Sequence, residues 1–368
     1  QLQEWAYEYL KDYYLQQSHW RKQLNSRLSL LAEILHLDQI ISGIAKTYTQ
    51  VILIPHSYLH LFPLHALPLS SHSPNCLLDR FPDGVRYAPS CQLLQQLQPY
   101  NGKPLPHLFA IQNPTQDLPF TDAEVQTISR HFQPADILVR EEASKTLFRQ
   151  KAENLRAAHF AHFSCHGSFN IEKPLLSALL LADAFTTTDL SSEETNRYLP
   201  WREGKNYDLE ECLTIAEIFN LDLSPCRLVT LSACETGLTD FGNTSDEYLS
   251  FASAFLYAGS SSVACSLWNV YDSSTALLMI KFYENLFNGS LDKLSIASEN
   301  YSSIAIALNQ AQLWLRDVSK KDFLPWFEQL PLTEKHRRSI EEYLSLFLPD
   351  AKPFEQPEHW AAFCAVGH

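Results

Sequence analysis

The sequence VTLSACETGL, residues 229–238, ends an apolar run with a cysteine and continues with an acid, a hydroxyl and a glycine. The apolar part has the length of one buried strand, and Gly237 permits a tight turn directly after it. A similar stretch upstream, HFSCHGSFN at 162–170, places His166 and Gly167 just behind apolar residues. Because a cysteine thiol needs a base or a positive neighbour to react at neutral pH, the two stretches suggest a Cys–His pair.

Short apolar runs alternate with helical patterns from residue 48 onward. Continuous apolar strands separated by helices predict an α/β fold, with a mostly parallel sheet covered by helices on both faces. In such sheets ligands bind at the carboxyl ends of the strands, where both opening stretches stand. The runs that predict strands are 51–55, 108–114, 137–139, 159–167, 175–182, 227–234, 261–270 and 359–367.

Helix starts are marked by hydroxyl residues followed three positions later by an acid. Thr121 with Glu124 and Thr214 with Glu217 have the spacing of capping boxes. Ser144 is placed to cap a helix over 145–157, and Gly259 is placed to end a helix over 246–258.

Residues 1–47 have a different pattern, with leucines at 24, 28, 31 and 35 on one helical stripe and no strand signal. We expect this segment to be the end of a helical-repeat region that precedes the α/β domain. The domain itself is predicted over 48–368, with 48–158 as its N-terminal part and 159–368 as the part that carries the Cys–His pair.

The charge balance excludes several classes of partner. Lys and Arg number 28 against 42 Asp and Glu, a net charge of −14. Neither nucleic acid nor an anionic membrane surface is expected as a partner, because both need clustered positive charge. No apolar run has the length of a membrane span, and the eight cysteines form no C-x-x-C pair. These features are typical of a cytoplasmic protein with reduced thiols.

Several separate stretches, in this order, closely resemble the CHAT domain, the caspase-like domain that occurs with tetratricopeptide repeats. The resemblance covers residues 48–368 and is carried by IPHSYLHLFPLHAL (54–67), HFSCHGSFN (162–170), TIAEIFNLDLSPCRLVTLSAC (214–234), LSACETGL (231–238), SFASAFLYAGSSSVACSLWNVYDSSTALLMIKFYENLFNG (250–289) and HWAAFCAVG (359–367). It implies a caspase-like fold, a place in the caspase and separase clan of cysteine peptidases, and a bacterial origin.

The family pattern of His-Gly and Cys-x-Thr/Ser-Gly implies a catalytic dyad, here His166 and Cys234. The chemistry then predicts a cysteine endopeptidase acting on a protein substrate, without a metal or another cofactor. Cys234 would attack the scissile carbonyl, His166 would protonate the leaving amine, and the backbone N–H groups of Gly167 and Cys234 would hold the oxyanion. The helical-repeat region or a partner protein would regulate it. Two alternatives stay open: a non-proteolytic scaffold that binds partners, and a thiol-based transferase or esterase.

Acidic residues cluster in sequence around the predicted cleft. We expect Glu235, Asp246 and Asp272, together with the neighbouring Asp240, to favour a basic side chain before the cut. Trp268 is expected to form one wall of the substrate groove. The alternative is that these acids are solvated loop residues.

The acidic stretch 184–211 has no periodicity and is long for a loop in a compact domain. We expect it either to gate the site or to be cleaved itself, and otherwise to be a surface loop.

Other histidines and cysteines compete with the predicted pair. His162 has a strand position equivalent to that of His166, but the family pattern favours His166, so His162 is expected to be packed in the core. Cys165 and Cys265 are expected to be core thiols. Four more histidines leave a zinc site as an alternative, although their spacing matches no common ligand pattern; they are His56, His60, His65 and His72.

Overall fold

The computed structural model describes residues 1–70, 75–96, 106–170, 172–186, 197–201, 204–233, 249–287 and 303–368. No helix in these residues is long and apolar enough to cross a membrane. The helices of this part of the chain are α1 (Leu2–Leu15), α2 (Gln17–Ile34), α3 (Leu37–Ser42), α4 (Leu77–Arg80), α5 (Cys91–Gln96), α6 (Thr121–Ser129), α7 (Lys145–Gln150), α8 (Ala152–Ala157), α9 (Ile215–Ile218), α10 (Phe251–Tyr257), α11 (Asp272–Leu286), α12 (Ile304–Asp317), α13 (Lys320–Phe327), α14 (Glu334–Ser345) and α15 (Pro357–Trp360).

Strands of two lengths occur in the described residues: strands of five residues, and shorter strands of two or three residues. They are β1 (Val51–Leu53), β2 (Val85–Tyr87), β3 (Leu108–Gln112), β4 (Ala135–Val139), β5 (Phe160–Ser164), β6 (Gly167–Ser168), β7 (Ala178–Leu180), β8 (Phe185–Thr186), β9 (Tyr198–Pro200), β10 (Asn206–Asp208), β11 (Cys212–Thr214), β12 (Leu228–Ser232), β13 (Ser262–Ser266) and β14 (Phe363–Gly367).

Within the described residues the central sheet has eight strands, in the order β1-β2-β14-β13-β12-β5-β3-β4. Every neighbouring pair is parallel except β13 and β14, which are antiparallel. All residues of β3, β5, β12, β13 and β14 are buried. Burial on both faces is the reason that these strands have continuous apolar runs rather than alternating patterns. The predicted α/β fold with a mostly parallel sheet and flanking helices is confirmed.

The part of the chain that the structure describes also forms two small antiparallel sheets, separate from the central one, in the orders β11-β7-β6 and β8-β10-β9. The apolar run 175–182 therefore contributes a strand to a small sheet. The acidic stretch 184–211, predicted without regular structure, contains β8, β9 and β10; its residues 187–196 and 202–203 lie outside the described part. The sequence pattern does not predict these strands, because two or three residues are too few to show an alternation of apolar and polar positions.

The predicted caps have different outcomes. Thr214 accepts from the Glu217 backbone N–H at 3.3 Å, and the Glu217 carboxylate accepts from the Thr214 N–H at 3.0 Å, so this capping box is confirmed. The box predicted at Thr121 is wrong, because Phe120 precedes the helix and gives no side-chain cap. Glu124 instead points into the core.

The N-terminal segment is helical, as predicted, and packs onto the segment between β13 and α11. Trp20 contacts Trp268 edge-on, with ring centroids 5.5 Å apart. The hydroxyl of Tyr13 accepts from the Asn269 N–H at 2.9 Å, and the Arg21 guanidinium donates to the Asn269 carbonyl at 2.9 Å. These buried contacts make α1 and α2 part of the same hydrophobic core as the central sheet.

Candidate active site

The site is built where two adjacent parallel strands end. Strands β5 and β12 are paired over five residues, with Ser164 opposite Ser232 as the last pair. His166 is the second residue after Ser164. The chain after β12 is described as far as Ala233, and the predicted residues Cys234, Glu235, Asp240 and Asp246 lie outside the described part.

A carboxylate that sequence reasoning missed holds the His166 ring. His166 Nε2 lies 2.9 Å from Asp117 Oδ1, with the histidine side chain 15% and the aspartate side chain 46% exposed. Asp117 belongs to the loop that follows β3, the strand on the other side of β5. In the sequence, Asp117 is marked only by its position: it is an acid that shortly follows β3, and β3 ends at the same edge of the sheet as β5.

The loop around Asp117 supplies further hydrogen bonds. The Thr115 hydroxyl donates to Asp117 Oδ1 at 2.5 Å, so this oxygen is shared between Thr115 and His166. Burial raises the pKa of Asp117, but the hydrogen bond and the charge of His166 outweigh it and hold the pKa below its usual value. The Asp117 carboxylate is therefore ionised at neutral pH.

Two aromatic side chains from the small sheet β8-β10-β9 and its next residue contact the His166 ring. The ring centroid of Trp201 lies 5.4 Å from that of His166, and the centroid of Phe185 lies 6.2 Å away. Both belong to the stretch 184–211, so this stretch reaches the candidate site. Lys205 lies over the Phe185 ring at 5.3 Å, which adds a cation to the same surface.

Gly167 begins β6 and faces Leu179 of β7. The Leu180 N–H donates to the His166 carbonyl at 2.9 Å, which makes Gly167 and Leu179 a non-hydrogen-bonded pair of the antiparallel ladder. The N–H of Gly167 consequently points away from β7.

A buried hydrogen bond fixes the chain directly before Cys234. Ser266, the last residue of β13, donates from its hydroxyl to the carbonyl of Ala233 at 2.6 Å. The end of β12 is thus held by β13 on one side and by β5 on the other.

Asp272 is the first residue of α11 and lies near the Asp117 loop. Its Oδ2 accepts from the Phe120 N–H at 2.8 Å. Burial raises the pKa of Asp272 to about 7, the Phe120 hydrogen bond opposes this, and the charges of Glu124, Asp117 and Asp122 raise it further. The Asp272 carboxylate therefore braces the loop, and its charge changes near neutral pH.

Trp268 does not line an open groove in this structure. It is 1% exposed and packs against Trp20 of α2. This location differs from the predicted groove wall, because the N-terminal helices cover the segment that follows β13.

A buried polar network lies directly behind the site. Glu124 Oε1 lies 2.9 Å from His162 Nε2, and the Ser164 hydroxyl donates to Glu124 Oε2 at 3.3 Å. His162 Nδ1 lies 3.3 Å from the Tyr283 hydroxyl, which lies 2.9 Å from Thr230 Oγ1. The prediction that His162 is a packed core residue is confirmed. Cys165 and Cys265 are buried core thiols, also as predicted.

The described residues contain no group of three or more His, Cys, Asp or Glu placed to hold a metal ion. His65 is buried, with Nδ1 2.8 Å from the Tyr87 hydroxyl, and burial lowers its pKa to about 3. His72 of the alternative zinc set lies outside the described residues.

The model of the CHAT domain family matches residues 25–368, a range that begins within α2 rather than at residue 48. No curated protein matches the chain. Among solved structures, separase from Saccharomyces cerevisiae in its complex with securin is 14% identical over 86% of this chain and 15% of its own, with a TM-score of 0.47. The chain thus spans about 15% of that protein's length.

Two further solved structures come from the gingipain group. The Arg-specific cysteine proteinase gingipain R is 9% identical over 93% of this chain and 67% of its own, with a TM-score of 0.46. The complex of the pro- and mature domains of RgpB from Porphyromonas gingivalis is 10% identical over 93% and 68%, also with a TM-score of 0.46. Because the family model covers most of the sequence, the chain belongs to the CHAT domain family.

Proposed function

We propose that the protein is a cysteine endopeptidase in which Cys234 is the nucleophile and His166 is its acid–base partner. The observation that carries this proposal is the register of β5 and β12, in which Ser164 and Ser232 are directly opposite each other. His166 and Cys234 each follow their serine by two residues. Consecutive Cα atoms are about 3.8 Å apart, so each of the two residues can lie only a short distance from this shared edge of the sheet.

The reaction proceeds in two steps. The Cys234 thiolate attacks the peptide carbonyl, an S–C bond forms, and the C–N bond breaks as imidazolium of His166 gives its proton to the leaving amine. Water then attacks the thioester while neutral His166 takes its proton, and the C–S bond breaks, which releases the acid and restores the pair of Cys234 thiolate and His166 imidazolium. The N–H of Gly167 points away from β7, which suits a donor to the oxyanion, with the N–H of Cys234 as the second donor.

The substrate is a protein with a basic side chain before the cut. Burial is the main cause of the raised pKa of Asp272, and the charges of Glu124, Asp117 and Asp122 raise it further, so acidic groups surround this side of the site. A Lys or Arg side chain of the substrate would favour ionised Asp272. Glu235 and Asp246 are the further residues proposed to contact this side chain.

The stretch 184–211 is proposed to gate the site. Its residues Phe185 and Trp201 contact the His166 ring, and they flank residues 187–196. Replacing 187–196 by a short Gly-Ser linker should raise the basal rate of peptide cleavage. An unchanged or lower rate would contradict the gate.

Regulation by an attached helical-repeat region or by a partner protein is also proposed. The segment between β13 and α11 is bound by three side chains of the N-terminal helices, Tyr13, Trp20 and Arg21. The same segment continues into Asp272, the first residue of α11. A displacement of the N-terminal helices would therefore reach Asp272 along the chain, and from there one hydrogen bond, to the Phe120 N–H, leads to the loop that carries Asp117.

The decisive experiment compares the neo-termini produced in a cell proteome by the wild-type protein and by Cys234→Ala. Cys91→Ser is the matched control, because Cys91 is an exposed thiol in a different part of the chain. If the protein is an endopeptidase that uses Cys234, the wild type and Cys91→Ser should produce neo-termini and Cys234→Ala should produce none. Equal patterns for wild type and Cys234→Ala, together with no labelling of Cys234 by a thiol-directed peptidyl probe, would favour the scaffold alternative.

A further inference from the structure

Three neighbouring strands end at the candidate site, in the sheet order β12-β5-β3. Cys234 follows β12, His166 follows β5, and Asp117 lies in the loop after β3. The strand order thus sets His166 between a carboxylate on one side and the cysteine strand on the other. A dyad would need only the first two of these residues.

We propose that Asp117 is the positioning residue of this site: it holds His166 through Nε2 and leaves Nδ1 to exchange a proton with Cys234. The proposal rests on the proposed function and adds Asp117 to His166 and Cys234 as a third residue of the site. Asp117 Oδ1 lies 2.9 Å from His166 Nε2, and the carboxylate can only accept, so Nε2 carries the proton. Neutral His166 then has its lone pair on Nδ1.

The loop that carries Asp117 is fixed from several sides, as a positioning role requires. Asn113 donates from its N–H to the Ser164 carbonyl at 2.9 Å, and its Oδ1 accepts from the Leu118 N–H at 3.1 Å. Asn113 has a positive φ of 48°, a conformation that asparagine tolerates better than most residues. The first of these bonds ties the loop directly to the end of β5, two residues before His166.

The far end of the loop is held by Asp272, which accepts from the Phe120 N–H at 2.8 Å. Thr115 donates to the same oxygen of Asp117 that faces His166, at 2.5 Å. Asp117 therefore has a defined orientation although 46% of its side chain is exposed. Phe185 and Trp201 contact the His166 ring as well, which limits its rotation.

The carboxylate has a specific electrostatic consequence. A negative charge beside Nε2 stabilises imidazolium, and imidazolium in turn stabilises the thiolate of Cys234. Removing the charge should reduce the thiolate population near neutral pH. It should have no effect at high pH, where a cysteine ionises without help.

The test measures the rate at which iodoacetamide alkylates Cys234, by peptide mass mapping, as a function of pH. All variants carry Cys91→Ser, which removes an exposed competing thiol. Asp117→Asn should slow alkylation about tenfold or more near pH 6.5 and match the parent within about twofold near pH 9.5. Asp117→Glu should recover part of the rate at the lower pH.

Asp350→Asn is the matched control, because Asp350 is an exposed acid paired with Lys321 at 2.6 Å far along the chain. It should leave the alkylation profile unchanged. A rate for Asp117→Asn that equals the parent at both pH values, or that falls by the same factor at both, would overturn the positioning role. An equal fall at both would mean that the loop had merely been distorted.

Alkylation and peptide cleavage, measured on the same variants, separate the proposed endopeptidase function from the proposed role of Asp117. If the parent protein alkylates with the profile of an ordinary thiol and cleaves no peptide, the proposed function fails and the role of Asp117 fails with it. If the parent cleaves fluorogenic peptides and Asp117→Asn cleaves them with unchanged kcat, only the role of Asp117 is contradicted. We expect kcat to fall with little change in KM, because Asp117 acts through His166 rather than on the substrate.

Discussion

Trp20 of α2 and Trp268, two residues past the end of β13, pack edge-on with their ring centroids 5.5 Å apart, and both are buried. The N-terminal helices are therefore part of the domain's core rather than a detachable neighbour. Trp20→Ala should lower the free energy of unfolding by about 3–5 kcal/mol, because it opens a cavity in this core. Urea unfolding followed by circular dichroism measures the change.

Tyr7→Ala is the control for Trp20→Ala, since Tyr7 lies on the same group of helices and is 64% exposed. Its effect should stay within about 0.5 kcal/mol. If Trp20→Ala were equally mild, the N-terminal helices would not contribute to the core.

Asp272 should make the stability of the protein depend on pH. Its pKa is about 7 in the folded state and about 4 in the unfolded chain. The folded state thus binds the proton more tightly, and the stability present at low pH is lost as pH rises through this range. Asp272→Asn keeps an oxygen for the Phe120 N–H but cannot ionise, so it should equal wild type near pH 4 and be more stable at pH 8.

The difference at pH 8 should be positive and at most about 4 kcal/mol. Urea unfolding of both proteins at the two pH values measures it. Burial is the largest cause of the raised pKa of Asp272; the hydrogen bond from the Phe120 N–H opposes it, and the charges of Glu124, Asp117 and Asp122 add to it. A wild type as stable as the variant at pH 8 would show that Asp272 titrates as an ordinary acid.

The sequence predicts the central sheet well because its main strands are buried on both faces. A run such as 108–112 or 228–232 is mostly apolar and buried along its whole length, and its neighbours in the chain have helical periodicity. The three strands within 184–211 have two or three residues each, which is too short for any period to appear. Their formation depends on pairing partners that the local sequence does not specify.

Individual site residues were harder to predict where tertiary contacts decide them. His166 stands out because a family pattern marks it, whereas Asp117 is one acid in a polar turn, 49 residues before its partner in the chain. Glu124 has the spacing of a capping residue, yet it turns into the core to meet His162. The residues around Trp268 in the sequence are apolar, which suits a groove wall as well as a core position. The contact with Trp20, which is distant in the sequence, places Trp268 in the core.

Glu124 supports the strand that leads to His166 from behind. Glu124→Ala should destabilise the protein by about 3–5 kcal/mol, because it leaves buried His162 without its acidic partner. Glu124→Gln should cost less, since one amide oxygen still accepts a hydrogen bond. Glu153→Ala, at an acid that is 85% exposed, is the control and should be nearly neutral. Similar unfolding midpoints for Glu124→Ala and Glu153→Ala in urea would contradict the importance of this network.

Ser266 should affect the reactivity of Cys234 more than it affects stability. Its hydroxyl donates to the Ala233 carbonyl at 2.6 Å, and Ala233 is the residue directly before Cys234. Ser266→Ala should lower the free energy of unfolding by about 1 kcal/mol, the usual effect of losing one such bond. It should also slow alkylation of Cys234 by iodoacetamide at neutral pH, because the end of β12 loses its support from β13.

Ser262→Ala provides a matched comparison on the same strand. The Ser262 hydroxyl donates to the His368 carbonyl, so the two serines make the same kind of bond at opposite ends of β13. Only the bond of Ser266 touches the chain that leads to Cys234. We therefore expect the two variants to be destabilised alike, while only Ser266→Ala loses alkylation rate in a Cys91→Ser background. Equal alkylation rates for both variants would mean that the Ser266 bond stabilises the fold without shaping the site.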